Sequence, residues 1–217
     1  MRSAVLIMLL AMSMSSQAMV VQYAFTGGFT PTWSYKEGIF AGGPDTVTGY
    51  FRYSTDNWQG ILTNPFYKKT YYETPASTDL DISITYDGTT YHSSPDPAYL
   101  NRISIGDDVS GEGFRDGFQY SAIKQVTSSL QEYFIIGLRS QNADPLNSLD
   151  IPVVFDLDQW DNSKTGAIQF MDQDQVIGRM LFEVESLTPV PLPAAIWLFG
   201  TTLFGFGFAA RNQHKKR

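Results

Sequence analysis

Leu80-Asp81-Ile82-Ser83-Ile84-Thr85-Tyr86-Asp87-Gly88-Thr89-Thr90-Tyr91-His92-Ser93 is the stretch that decides the fold class. Two runs of alternating apolar and polar residues flank Asp87-Gly88, a dipeptide that favours a two-residue type I′ turn. The sequence therefore predicts a β-hairpin. The turn also predicts its register, which places Tyr86 opposite Thr89, Ile84 opposite Tyr91 and Ser83 opposite His92.

The same two-residue period recurs along most of residues 19–187, with Gly, Pro, Asn and Asp between the runs. Residues 47–54 and 176–185 alternate as half-buried strands do, whereas residues 133–138 are apolar on both faces and predict a central strand. No long amphipathic helix is evident before residue 192. We therefore expect an all-β protein with an antiparallel β-sandwich ectodomain of about eight to ten strands over residues 19–187.

Composition excludes several kinds of function. The 217 residues include no cysteine, so disulfides, cysteine-ligated metals and thiol nucleophiles are excluded. Residues 19–189 carry 22 acidic and ten basic side chains, a net charge of −12. Because so acidic a surface repels phosphate backbones, we expect no nucleic-acid partner.

The hairpin register brings a serine, a histidine and an aspartate together at Ser83, His92 and Asp81. A hydrolase triad also needs a sharply presented nucleophile and donors aimed at an oxyanion, which a flat strand face does not supply. We therefore expect a solvated polar face here and no catalytic residue. His92 is the only histidine before the C-terminal tail, so no other histidine-based site is available in this region.

Acidic clusters raise the question of calcium, which prefers oxygen ligands. The candidate ligands are Asp156, Asp158 and Asp161, with two further groups at Asp172 with Asp174 and at Asp107 with Asp108 and Glu112. None of them fits an EF-hand loop, and solvated turns are the other interpretation. We expect no cofactor, with Ca²⁺ as the one alternative. Paired carboxylates also leave a carboxylate-dependent extracellular hydrolase as an alternative function.

Aromatic residues are concentrated between residues 19 and 99. Several lie near expected loops, namely Trp33, Tyr35, Trp58, Tyr67, Tyr71, Tyr72 and Tyr99. Exposed rings can stack on sugars, whereas ordinary packing in a β-core accounts for most such residues. A surface carbohydrate-binding module therefore remains an alternative.

The N-terminus has the order of a secretory signal peptide. A basic residue at Arg2 precedes an apolar run, which closes on the small residues Ser16 and Ala18. We expect residues 1–18 to be a signal peptide that is cleaved between Ala18 and Met19. Export would then place the following domain outside the cytoplasm.

The C-terminus has three parts. A proline motif at 190–194 leads into residues 192–210, which contain no charge, and the tail 211–217 is basic. Nineteen residues form a helix of about 28 Å, which suffices to cross the hydrocarbon core of a membrane. The basic tail then predicts that the larger N-terminal part lies outside.

This tripartite segment resembles the PEP-CTERM sorting signal in its VPLPA-type variant. The matching residues lie within 188–217 and are Val190, Pro191, Leu192, Pro193, Ala194, Trp197, Gly200 and Arg211. The resemblance implies processing by an exosortase-type enzyme and association with exopolysaccharide or biofilm material. It implies nothing about the fold of the preceding domain.

Together these features predict a non-enzymatic structural protein of the cell surface or extracellular matrix of a Gram-negative bacterium. The precursor is expected to be anchored in the inner membrane. Its partners would be the processing enzyme, the membrane and exopolysaccharide.

Overall fold

The structure is a computed structural model that describes residues 19–191 except 31, 57, 65–68, 76–78, 95, 97, 110–113, 128–130, 143, 173 and 174. Twelve strands and one 3₁₀ helix, Leu157–Gln159, occur in this part of the chain. The strands are β1 Val20–Gly28, β2 Tyr35–Gly38, β3 Thr46–Ser54, β4 Gly60–Asn64, β5 Lys69–Pro75, β6 Asp81–Tyr86, β7 Thr89–His92, β8 Leu100–Gly106, β9 Asp116–Gln125, β10 Gln131–Ser140, β11 Ser163–Asp172 and β12 Gln175–Pro189.

All strand pairs are antiparallel, and the strands form one hydrogen-bonded sheet in the order β4-β5-β8-β9-β10-β11-β12-β1-β3-β6-β7. The fifteen-residue β12 is the longest strand among the described residues. Its first part pairs with β11, and its last part pairs with β1 along the opposite edge. The short β2 adds to that same edge at Gly178–Leu181.

The core consists largely of aromatic and branched side chains on one face of this sheet. Phe51 and Tyr53 of β3 contact Phe118 of β9, although several strands separate β3 from β9 in the sheet order. The part of the sheet on the β9 side of β12 and the part on the β3 side, which we call its two halves, therefore pack around one core. The all-β class is confirmed. The expected two-sheet sandwich is not, because the strands hydrogen bond as one continuous sheet.

The local predictions hold for the hairpin and the strands. Ser83 pairs with His92, Ile84 with Tyr91 and Tyr86 with Thr89, as predicted. Asp87 and Gly88 have φ angles of +48° and +72°, as a type I′ turn requires. β10 lies between β9 and β11, which confirms the prediction of a central strand over 133–138.

Three tyrosines fasten the irregular segment 149–155 across the sheet. The hydroxyl of Tyr72 donates to the carbonyl oxygen of Leu149 at 2.7 Å, and that of Tyr23 donates to Val153 at 3.3 Å. Between them, the Tyr53 hydroxyl donates to the carbonyl oxygen of Pro152. These tyrosines come from β5, β1 and β3, so the segment ties the two halves of the sheet together.

Several predictions fall outside the described residues. They are the signal peptide 1–18, the membrane helix 192–210 and the basic tail 211–217. Within the described part of the chain, no helix has the length and hydropathy that a membrane crossing requires.

A matched pair of glycine substitutions tests the packing at Gly49. A Cβ there would overlap the carbonyl oxygen of Ser83 and the ring of Phe25, whereas a Cβ at Gly137 would have its nearest neighbours at 4.0 Å. Gly49→Ala should lower the free energy of unfolding by about 1–3 kcal/mol, as overpacking does. Gly137→Ala should change it by less than about 1 kcal/mol. Chemical denaturation of both variants measures the difference, and equal effects would contradict the packing described for β3.

Candidate functional site

A groove crosses the outer face of the sheet, opposite the buried side chains of Ile105, Phe118 and Leu138. The strand register sets two rows of residues side by side on this face. The first row is Lys69, Gly106, Gly117, Arg139 and Ser163, and the second is Tyr71, Ser104, Gln119, Gly137 and Thr165. We call the depression lined by Phe114 and by the residues of these rows other than Tyr71 the outer groove; its cavity volume is about 240 Å³.

Glycines make the depression possible. A Cβ at Gly117 would lie 2.8 Å from the ring of Phe114, so this ring can rest on the strand only because residue 117 has no side chain. Gly137 differs, since a Cβ there would meet only atoms 4.0 Å away. Gly137 therefore forms the open floor of the outer groove.

Two cations flank the aromatic wall of the outer groove. The Nζ of Lys69 lies 5.3 Å from the centroid of the Phe114 ring, and the guanidinium carbon of Arg139 lies 5.0 Å from it. Both distances suit cation–π attraction. Around them, hydroxyl and amide groups of Ser104, Gln119 and Thr165 line the groove. The outer groove thus combines positive charge with hydrogen-bonding groups.

A second depression adjoins the outer groove at Ser163, which lines both. It has a cavity volume of about 340 Å³ and includes Trp33 with 40% of its surface exposed. Trp160 also lines it, and its buried indole N–H meets no acceptor among the described residues. Glu183 contributes a negative charge. We call this depression the Trp33 pocket.

One group of three acidic side chains among the described residues brings carboxylate oxygens within 4.8 Å of one another, namely Asp107, Asp116 and Asp144. Such a set has the hard oxygen ligands that Ca²⁺ prefers. However, the two Asp116 oxygens accept the backbone N–H groups of Asp108 and Leu146, each at 3.1 Å. Burial raises the pKa of Asp116, against the effect of these two hydrogen bonds. Asp116 thereby fastens two loops to the start of β9.

Arg115 adds a positive charge beside this acidic group. Its guanidinium pairs with Asp108 at 2.7 Å and with Asp144 at 2.9 Å. A cation bound by Asp144 would compete with that contact. The cluster is therefore well explained as a loop-fastening network.

Two of the three principal calcium candidates have local structural roles. Asp156 caps the 3₁₀ helix and accepts the N–H of Asp158 at 3.2 Å. Asp161 accepts the backbone N–H of Gln141 at 2.7 Å and the hydroxyl of Ser140 at 3.0 Å. These hydrogen bonds lower the pKa of Asp161. A calcium site at Asp156, Asp158 and Asp161 stays a prediction. Of the two further groups, Glu112 and Asp174 lie outside the described residues.

The His92 face differs from the solvated surface that we expected. Asp81 and Ser83 are buried, and several donors converge on the Asp81 carboxylate. Its Oδ2 accepts the hydroxyl of Tyr50 at 2.8 Å and lies 3.2 Å from Nδ1 of His92, while its Oδ1 accepts the N–H of Ser94 at 3.0 Å. The expectation of a solvated face was therefore wrong for Asp81 and Ser83, although 44% of the His92 side chain is exposed.

The aromatic candidates divide between core and surface. Tyr99 is buried, and Trp58 and Tyr72 pack against the core and edge to face against each other. Trp33 and Tyr35 are exposed. Tyr67 lies outside the described residues.

Few residues of the predicted processing sites are described. Met19 is exposed, Val190 donates its N–H to the carbonyl oxygen of Gln22 at 2.9 Å, and Pro191 is exposed. The remaining residues lie outside the described part, namely Ala18, Leu192, Pro193, Ala194, Trp197, Gly200 and Arg211.

Comparison of the chain with protein-family models, curated proteins and solved structures gave no match.

The outer groove was missed at the sequence level. One available signal was Gly137, which interrupts the apolar run of β10, since glycine inside a strand often marks a close approach of a ligand or another backbone. That signal alone does not show which neighbours stand beside Gly137. Those neighbours depend on pairings between residues far apart in the sequence.

The lowered pKa of Asp161 predicts a pH-dependent contribution to stability. The native hydrogen bonds favour the carboxylate, so this contribution is present above the unfolded-state pKa of about 4 and is lost as the pH falls through and below that value. Asp161→Asn should lower the melting temperature at pH 7, and its difference from wild type should shrink below about pH 4. Thermal denaturation at several pH values measures this; a difference that grows on acidification would contradict it.

The hydrogen bonds around Asp81 predict that substitutions of Asp81 and of His92 change the free energy of unfolding by different amounts. Asp81→Ala removes a buried carboxylate and leaves the partly buried Tyr50 hydroxyl and Ser94 backbone N–H without this acceptor, which should cost at least about 2 kcal/mol of unfolding free energy. His92→Ala should cost no more than about 1 kcal/mol, because Asp81 keeps its other donors and the imidazole is partly exposed. Urea denaturation compares the variants. A larger loss for His92→Ala would contradict this description.

Proposed function

We propose that the protein is an exported, non-enzymatic structural component of a Gram-negative cell surface or extracellular matrix, sorted through its VPLPA-type C-terminal signal. The observation that carries this proposal is the position of the two ends of the β-domain. They lie next to each other, and each coincides with a predicted processing region.

The N-terminal end begins in register with the sheet. β1 starts at Val20, one residue after the predicted mature N-terminus at Met19. The carbonyl oxygen of Met19 accepts the N–H of Thr55 at 3.0 Å. Cleavage after Ala18 would therefore leave every residue of β1 in place, which supports the assignment of residues 1–18 as a signal peptide.

The C-terminal end leaves the sheet at the sorting motif. β12 ends at Pro189, which pairs with Tyr23 of β1, and the next residue is Val190. The hydrogen bond from Val190 to Gln22 ends the regular pairing, and the exposed Pro191 follows. Since prolines resist helix and cannot donate a backbone hydrogen bond, the motif suits recognition in an extended form by an exosortase-type enzyme.

The sequence features complete the proposal. The apolar residues 192–210 would anchor the precursor in the inner membrane until processing. The basic tail 211–217 would remain on the cytoplasmic side. The processed domain would then associate with exopolysaccharide or biofilm material at the surface, and its excess of acidic residues disfavours a nucleic-acid partner.

A surface carbohydrate-binding module is the second candidate function. The outer groove and the Trp33 pocket favour it, because they place polar groups and an exposed indole on one connected surface. A carboxylate-dependent hydrolase has less support. Asp116, the buried member of the acidic cluster, uses both carboxylate oxygens to hold backbone N–H groups.

The sorting signal is tested by changing its prolines. Replacement of Pro191 and Pro193 together by Ala should let helix extend into the motif and hide it from the processing enzyme. In a host that has the matching exosortase, intact-mass spectrometry should find wild type starting at Met19 without its apolar C-terminal segment. The double variant should start at Met19 and keep that segment.

Pro189→Ala is the matched control, since Pro189 precedes the motif, and this variant should be processed like wild type. In a host without the enzyme, all three forms should keep the C-terminal segment. Equal processing of wild type and the double variant would contradict the sorting signal. A mature chain that retains residues 1–18 would contradict the signal peptide.

A further inference from the structure

The outer groove is positively charged within a domain that is otherwise strongly acidic. Several basic residues elsewhere in the domain form ion pairs with nearby carboxylates, among them Arg102 with Glu73 and Arg179 with Glu37. Arg139 forms no ion pair among the described residues, and its guanidinium lies against Phe114 instead. The ammonium group of Lys69 lies near the same ring. Such an arrangement leaves the arginine available to an anionic ligand.

The shape of the outer groove limits the ligand. Its volume of about 240 Å³ is smaller than the roughly 300–1,000 Å³ of pockets that enclose drug-sized ligands. The floor at Gly137 is open, and a Cβ would fit there without overlap. The groove therefore suits one ring-sized unit of a longer molecule that continues into solvent.

The lining favours a polyhydroxylated ring. Ser104, Gln119 and Thr165 place a hydroxyl, an amide and a second hydroxyl along one row of the groove. Groups of this kind both donate and accept hydrogen bonds, as sugar hydroxyls do. Phe114 supplies an apolar wall beside them.

The distribution of charge across the outer groove predicts the orientation of a bound ligand. Lys69 and Arg139 belong to the first row, while Glu183 pairs with Thr165 at the far end of the second. A ligand carboxylate would be attracted to the first row and repelled from Glu183.

We propose that the outer groove binds a uronic acid unit of an acidic polysaccharide, with the sugar carboxylate facing Arg139 and Lys69. The extracellular source of such a polymer rests on the proposed function. The binding of a uronate by the outer groove does not depend on the proposed function, so each of the two proposals can fail without the other. The processing experiment above tests the sorting, and a binding experiment with the purified full-length chain tests the groove.

The binding experiment uses the full-length chain in a non-ionic detergent and isothermal titration calorimetry. The probes are short oligomers of galacturonate, glucuronate and mannuronate, the methyl esters of the same oligomers, and polyglutamate. At least one uronate oligomer should bind saturably. Its methyl ester should bind at least about tenfold more weakly, which corresponds to about 1.4 kcal/mol. Polyglutamate, an acidic polymer without sugar rings, should not compete.

Three variants locate the binding. Arg139→Gln removes the charge, and Gly137→Leu fills the floor; each should weaken uronate binding at least about tenfold. Arg179→Gln is the matched control, because Arg179 also lies over an aromatic ring, Tyr35 at 4.9 Å, but does not line the outer groove. It should bind like wild type. Circular dichroism checks that the variants are folded. If Gly137→Leu does not fold, the affinity of Arg139→Gln alone tests the proposed binding site.

Three results would each overturn the proposal. The first is the absence of saturable binding to any of the uronate oligomers. The second is unchanged affinity in Arg139→Gln. The third is equal binding of polyglutamate, which would assign the outer groove to an acidic peptide instead.

Discussion

The continuity of β12 is the constraint on which the rest of the structure depends. At Glu183 this strand is paired on both edges, with Thr165 of β11 and with Gly28 of β1. Before this residue β12 completes one half of the sheet, and after it β12 completes the other. The pairing with β1 joins the start of the domain to its end. Without it, the aromatic contacts of β3 with β9 would lose the connection that brings them together.

The core and the outer groove are two consequences of one register. In β9, Phe118 points into the core while Gly117 and Gln119 face the groove; in β10, Leu138 points inward while Gly137 faces outward. A shift of one residue in either strand would exchange these faces. The burial of the large side chains therefore also fixes the arrangement of the groove, including the position of the Phe114 ring on Gly117.

Local features of the fold could be predicted from the sequence. The Asp87-Gly88 turn determines the hairpin register by itself, because a two-residue turn leaves no freedom in the pairing beside it. The apolar run 133–138 likewise predicted a buried strand between two neighbours. The twelve strands in the described part of the chain exceed the expected eight to ten, and β2 and β4, with four and five residues, are too short to show a clear period.

Long-range features could not be predicted. Whether one sheet or two would form depends on β12, whose partners lie as far away in the sequence as β1. The burial of Asp81 depends on Tyr50, which belongs to a different strand. The outer groove takes residues from five strands and one loop, so its glycines and cations are adjacent only after folding.

The domain thus places a polar, cationic groove on one face of a sheet whose two ends meet at the predicted processing regions. We propose that this β-domain is secreted and that its outer groove recognises an acidic sugar. A crystal structure of the full-length protein with a uronate oligomer tests this most directly. We expect a sugar ring over Gly137, with its carboxylate beside Arg139, and a β12 that is paired to both β11 and β1. A ring bound elsewhere, or a β12 that pairs with only one of these strands, would contradict it.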